Sequence, residues 1–126
     1  MMLKRTEILT VLADSANAVR GKKYASNADL GRALFDVSEE ARVSGYNEMT
    51  VTIQVAVQSL FDASAAASVG EAIDVELDTI VSAIITKPAI YEVGQSVRYI
   101  GATVEYPTAG SKTAGLVAQF EVVYTT

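Results

Sequence analysis

The stretch Met49-Thr50-Val51-Thr52-Ile53-Gln54-Val55-Ala56-Val57-Gln58 alternates from end to end, and its reading decides the fold. Side chains on a strand point to opposite faces with a period of two. Met49, Val51, Ile53, Val55 and Val57 therefore share one face, and Thr50, Thr52, Gln54, Ala56 and Gln58 the other. The first set is a core face. The second is polar but carries no charge, whereas a sheet face meant for bulk water usually carries Lys and Glu. A strand with these two faces packs helices on one side and leaves the other for a second subunit or a shared cavity, with an ordinary weakly polar surface as the alternative.

Upstream, Leu30 to Val43 reads as a strand, with Ala33, Phe35 and Val37 alternating with Leu34 and Asp36. Glu39-Glu40-Ala41-Arg42 either continues it or forms an exposed turn, and Ser44-Gly45-Tyr46-Asn47 is turn chemistry. Residues 3–20 read as an amphipathic helix. Ile8, Leu12, Ala16 and Val19 form its stripe, Leu9 and Val11 widen it, and Gly21 is placed to end it. Lys22 to Asp29 reads as a loop. Its Lys22-Lys23 pair, beside Arg20, forms a basic cluster that suits a helix end better than a phosphate site.

Downstream, Ser68-Val69-Gly70-Glu71 fits a capping box opening a second helix. Ile73, Leu77, Ile80, Val81 and Ile84 give that helix an apolar face, and Lys87-Pro88 ends it. Glu71, Asp74, Glu76 and Asp78 crowd its first half, which suits the positive end of a helix dipole and reads as a solvated face rather than a metal site. Gln95 to Tyr106 reads as a strand with Val97, Tyr99 and Thr103 on one face and Arg98, Ile100, Ala102, Val104 and Tyr106 on the other. After a loop over 107–115, a last strand sends Leu116, Ala118, Phe120, Val122 and Tyr124 one way. Val117, Gln119, Glu121, Val123 and Thr125 point the other way. The expected order is α-β-β-α-β-β: an α+β fold with one mostly antiparallel sheet of about four strands and both helices on one face.

Composition narrows the chemistry. The 126 residues hold no Cys and no His, with 15 Asp+Glu against 10 Lys+Arg and a net charge of −5. No disulfide framework, thiol nucleophile, Ser-His-Asp triad or imidazole metal site can be built from them. The acidic balance lacks the basic footprint of a dedicated nucleic-acid binder. The length fits a single domain over 1–126. The N-terminal residues hold no apolar run of signal-peptide length before Glu7, and no apolar run reaches the roughly 18 residues of a membrane span. Carboxylates and lysines remain, so chemistry is not excluded, but most of the usual catalytic menu is gone; the expectation is a soluble, unexported protein with no membrane partner.

The element order, with Lys4-Arg5-Thr6-Glu7-Ile8 opening the first helix, is joined by three further segments. These are the strand segment Ile53-Gln54-Val55-Ala56-Val57, the acidic helix Asp74-Val75-Glu76-Leu77-Asp78-Thr79-Ile80, and the closing strand Gln119-Phe120-Glu121-Val122-Val123-Tyr124. Together they resemble the tail terminator (minor tail protein U-type) family of long-tailed siphophages. The likeness spans most of the chain as a pattern rather than a signature motif, and the sequence departs from it over 22–48. It implies a virion protein at the head-proximal end of the tail, assembled in the host cytoplasm. There a homohexameric ring caps the tail tube, stops its polymerisation and presents a surface to the head–tail connector or neck protein. Double-stranded DNA would pass through the lumen without specific binding. The family has no catalytic residues to carry over. A head–tail joining or neck protein with a similar ring-forming fold is the alternative. A small-molecule-binding domain or carboxylate enzyme using Asp74, Asp78 or Glu121 is a third reading. The candidate interface groups are Tyr46 and Asn47 at one hairpin tip and Tyr106, Lys112 and Thr113 at the other.

Overall fold

A computed structural model describes residues 4–21, 30–64, 68–86, 95–108 and 110–125. Helix α1 spans Lys4–Ser15 and α2 spans Val69–Ile85. The strands are β1 (Val19–Arg20), β2 (Gly31–Gly45), β3 (Glu48–Asp62), β4 (Gln95–Glu105) and β5 (Thr113–Thr125). They form one mixed sheet in the order β1-β2-β3-β5-β4. The fold is α+β, as the alternation in the sequence implies.

The decisive alternation is realised from Val51 to Val57, whereas Met49, expected on the core face, is 41% exposed beyond the helices and Ala56 on the other face is buried. Val51, Ile53, Val55 and Val57 of β3 lie opposite Tyr124, Val122, Phe120 and Ala118 of β5, and all eight are buried. Onto this surface pack Ile8, Leu9 and Leu12 of α1 and Ile73, Ile80 and Ile84 of α2, which join it in one core. Both helices therefore cover the same face. Leu77 and Val81 sit at the margin of the contact, half-buried. Helix α2 starts as the sequence indicates, with the Glu71 N–H donating to the Ser68 hydroxyl at 3.1 Å. It ends at a Thr86 cap, whose N–H donates to the Ser82 carbonyl; Lys87-Pro88 lies outside the described residues.

The sheet differs from expectation by one strand. Helix α1 stops at Ser15 instead of running to Arg20, because Asn17 adopts the left-handed conformation (φ 53°). The Ala18 N–H reaches the Ala13 carbonyl at 2.8 Å and the Asn17 N–H reaches Asp14 at 3.2 Å. This is a Schellman end with Asn in the place more often held by Gly. The freed residues Val19 and Arg20 pair in parallel with Ala33 and Leu34, and Gly21 donates to the Leu34 carbonyl at 2.7 Å. Val19 is accordingly 54% exposed rather than part of the helix stripe, and Gly21 (φ 78°) ends a strand, not a helix. The remaining pairings are antiparallel, so the mostly antiparallel character stands.

The second correction concerns faces. The β4–β5 register shifts between Tyr99 and Gly101, so Ile100 is an extra residue in its strand. Beyond this bulge Ala102 and Val104 lie opposite Ala118 and Leu116 on the helix side, while Thr103 and Glu105 join Arg98 on the other. The expected face of Val97, Tyr99 and Thr103 is therefore broken after Tyr99. A similar shift in β2 between Asp36 and Ser38 leaves Val37 out of the Ala33 and Phe35 row. Glu39-Glu40-Ala41-Arg42 continues β2 rather than turning.

Candidate interaction surfaces

The two groups of candidate interface residues stand at opposite ends of the sheet. Thr50 of β3 pairs with Thr125 of β5, and Asp62 pairs with Thr113. The turn after β2 and the loop before β5 are thus separated by the twelve steps from Thr50 to Asp62, about 40 Å at strand rise. Tyr46 and Asn47 are not brought near Tyr106, Lys112 and Thr113.

At the first end, β2 and β3 continue past the last β5 pairing, Thr50 with Thr125, as a short two-stranded arm over 43–49. Val43 (79% exposed), Tyr46 (95%) and Met49 (41%) are its apolar groups, and Asn47 closes the turn at φ 54°. Asn tolerates this conformation because its short polar side chain can hydrogen-bond locally. The arm's root is tied to α1. Arg5 donates to Glu39 at 2.6 Å and to Asp36 at 2.7 Å, so the acids on this stretch of β2 face a cation. Those bonds raise the Arg5 pKa and, from Arg5 first, hold the Asp36 carboxyl below the usual range. Met49, read from the sequence as a core residue, and Val43, read as the end of a strand, are instead exposed here. The continued alternation through Glu39-Glu40-Ala41-Arg42 was the signal that a turn at 44–47 would place them beyond any helix.

At the other end, Tyr106, Pro107, Lys112, Ala63 and Val69 line an open cleft of about 300 Å³ beside the start of α2. Tyr106 is 58% exposed. Asp62 accepts from the Ser64 N–H at 2.8 Å, and the Ala63 N–H donates to the Lys112 carbonyl at 2.9 Å, which closes the loop against β3. Thr113, half-buried, begins β5, and its N–H donates to the Ser111 hydroxyl at 3.1 Å.

Between these ends lies the sheet face turned away from the helices. Gln54 and Gln119 on it are exposed; Thr50, Thr52, Gln58, Val117 and Val123 are half-buried. Toward the β1 side a small patch, Ala33 with Leu60, is buried on this face. Arg98 and Glu121, directly opposite one another across β4 and β5, form an ion pair at 3.0 Å. Glu121 is thereby engaged with an arginine.

The acids of α2 separate into two kinds. Glu71, Asp74 and Asp78 face solvent, as a solvated helix face should. Glu76 does not. Its carboxylate receives a bidentate pair from Arg32 at 2.8 and 2.9 Å and a further bond from the Ser59 hydroxyl, while Arg32 also donates to the Ala16 carbonyl at 2.9 Å. Burial pushes the Glu76 carboxyl up, but the Arg32 and Ser59 bonds outweigh it and hold its pKa below the ordinary value. The same pair raises Arg32. This cluster joins the end of α1, the start of β2, the end of β3 and α2, and only Glu76 had been singled out from the sequence, as one acid among four. Among the described residues no group of three or more acids is placed to hold a metal ion, and no helix is long and apolar enough to cross a membrane.

No family model and no curated protein matches the sequence. Among solved structures, the type 4 fimbrial biogenesis protein PilO from Pseudomonas aeruginosa aligns with a TM-score of 0.44 at 11% identity. The alignment covers 99% of this chain and 73% of that one. A likeness at that level carries no argument for fold or function.

Proposed function

We propose that this chain is a structural, ring-forming protein of a long-tailed phage that caps the tail tube, stops its polymerisation and offers a surface for head joining. The observation that carries the reading is the sheet face opposite the helices. It remains accessible along Gln54 and Gln119 and is lined by Thr50, Thr52, Gln58 and Val123. Thr and Gln of β3 stand on it among charges that nearly balance, Arg42 and Arg98 against Glu40, Glu105 and Glu121, and a polar face without strong net charge suits a wall shared between subunits. The projecting arm with Tyr46 and the Tyr106 cleft at the far end supply two unlike contact surfaces, one for each side of a ring. The resemblance of the element order to tail terminators adds to this, and the acidic net charge of −5 suits a lumen through which DNA passes without being gripped. On this reading the protein is not an enzyme, needs no cofactor, and works with the tube protein and a neck protein in the virion.

A tube is a stack of like rings, and such non-closing contacts propagate until a different surface binds the growing end. Deleting the gene should therefore give overlong tubes that fail to join heads while heads assemble normally. Normal-length tails lacking only heads would favour the neck-protein alternative, and normal virions would refute both. Light scattering of the purified chain across concentrations tests the ring itself: a fixed multiple of the monomer mass is expected, and a monomer throughout would refute it.

A further inference from the structure

From Asp36 to Gly45, β2 pairs with β3 alone among the described residues, so that no described strand lies along its outer edge there. At the far side of the sheet, β4 (Gln95–Glu105) pairs with β5 alone among the described residues. Each edge is ten or eleven residues long, and about every second residue along it turns its backbone N–H and C=O outward for pairing. Proteins that must keep such edges apart guard them with Lys, Pro, inward charges or bulges; each edge here has a bulge, at Val37 and at Ile100, yet keeps five or more consecutive paired residues beside it. Strand β4 holds neither Lys nor Pro, and Tyr99, Ile100 and Val104 along it are 38%, 44% and 43% exposed. On β2, Val37 and Val43 are exposed and two of the acids are tied to Arg5.

We propose that the outer edge of β4 in one copy pairs antiparallel with the outer edge of β2 in the next, so that the sheets of successive copies join into one closed wall. This rests on the ring reading above and names its seam. The strand sense permits it: β2, β3, β5 and β4 alternate in direction, so a following β2 continues the alternation without a break. The two edges lie on opposite sides of the chain, so the contact is head-to-tail and builds a ring if the rotation closes. A two-fold pairing of β4 with β4 would leave every β2 edge open.

The short strand β1 sets the stagger. Across the sheet Glu105 is level with Gly115, Leu60 and Gly31, while β1 occupies the edge at Ala33 and Leu34. For β4 of the neighbour to clear β1, it must slide by about four residues for each set of four long strands. An eight-stranded barrel with a shear of eight has the same ratio, one residue per strand, and its strands tilt by about 36°. The stagger that β1 imposes is thus the one that closed sheets ordinarily adopt. With helices outside, the wall facing inward holds Thr50, Thr52, Gln54 and Gln119, and its charged groups nearly balance: Arg42 and Arg98 against Glu40, Glu105 and Glu121.

The test blocks one edge at a time. Inward and outward N–H groups alternate along a paired strand, so one of Ala102→Pro and Thr103→Pro spares the β4–β5 ladder. One of Glu40→Pro and Ala41→Pro likewise spares β2–β3. The member of each pair that melts like the unmodified chain is used. Each blocked chain should run as a monomer, and a 1:1 mixture should give a heterodimer at twice the monomer mass and nothing larger. That heterodimer shows both variants to be folded. Rings formed by either blocked chain, self-association of the β2-blocked chain as a dimer, or a mixture that stays monomeric while the unmodified chain forms rings would each overturn the seam and leave the ring reading standing. An unmodified chain that is monomeric at all concentrations would overturn both.

Discussion

Replacing Arg32 by Met should destabilise the chain by about 2–3 kcal/mol, and so should replacing Glu76 by Leu, yet the two together should cost no more than about 3 kcal/mol. The side chains of this pair are only 20% and 17% exposed. Breaking a buried ion pair by removing one member costs about 3–5 kcal/mol, because the other charge is left desolvated and unpaired. The residual exposure here moves each single change to or below the lower end of that range. Removing both charges removes both desolvation penalties, and two apolar side chains then meet between β2 and α2. What the double variant still loses is the Arg32 bond to the Ala16 carbonyl and the acceptor of the Ser59 hydroxyl, each about 1 kcal/mol or somewhat more. Urea unfolding of the four proteins at pH 7, at a concentration where all are monomeric, measures the cycle. A double variant destabilised by the sum of the singles, within about 0.5 kcal/mol, would show that the groups do not interact and that the cluster is incidental. The pH dependence has a definite sign. The Glu76 carboxyl is held below its unfolded value, so its stabilisation is complete above about pH 4.3 and is lost as pH falls through the folded value. The gap between the unmodified chain and Glu76→Leu should therefore narrow in acid, and a gap that widened there would refute the assignment.

Three further outcomes are expected. Phe120 of β5, fully buried in the core, should cost about 3–5 kcal/mol when cut to Ala, and Ile80→Ala about 2–5 kcal/mol, whereas Leu77→Ala should cost less because it is half-buried; denaturant midpoints check all three. Asn17→Ala should lose about 1 kcal/mol from strain at its positive φ, while Asn17→Gly should be close to neutral, and equal effects would argue against the Schellman end. Tyr46→Ala, at a position 95% exposed, should leave the unfolding midpoint within about 0.5 kcal/mol of the unmodified chain while weakening assembly in light scattering; a large loss of stability would mean the tip packs on the body.

What the sequence made legible was whatever repeats with a period. The alternation of 49–58 and of 116–124 gave the core face of the sheet, and the Ser68 box with Ile73, Ile80 and Ile84 placed α2. What it hid were single-residue events. The apolar stripe of α1 runs on through Val19, so the stop at Asn17, a change in one backbone angle, was overridden in the pattern. Ile100 and Val37 insert one residue each, which reverses every later assignment of faces without altering composition; Gly101 beside the first is the kind of residue that marks such a place. The candidate groups were chosen where turn chemistry is strong, at Tyr46-Asn47 and at Tyr106 to Thr113. The Arg32–Glu76 pair was not, because 44 residues separate its members and nothing in a local window distinguishes Glu76 from the three solvated acids around it.

The ladder between β3 and β5 runs from Thr50 to Asp62 with no register shift, in contrast to the ladders on either side of it. That difference gives the chain a mechanical grain. Hydrogen bonds of an antiparallel pair lie across the strands, so a pull directed along β3 against β5 loads the whole ladder in shear, and its bonds must yield together. A pull directed sideways at the outer edge of β2 or β4 opens bonds one after another, and the bulges at Val37 and Ile100 are ready points for the tear to start. The chain should thus resist tension between the Tyr46 tip and the Lys112 loop far better than tension across the sheet. In pulling experiments, anchors at residues 46 and 112 should require the larger force, and anchors on β2 and β4 the smaller.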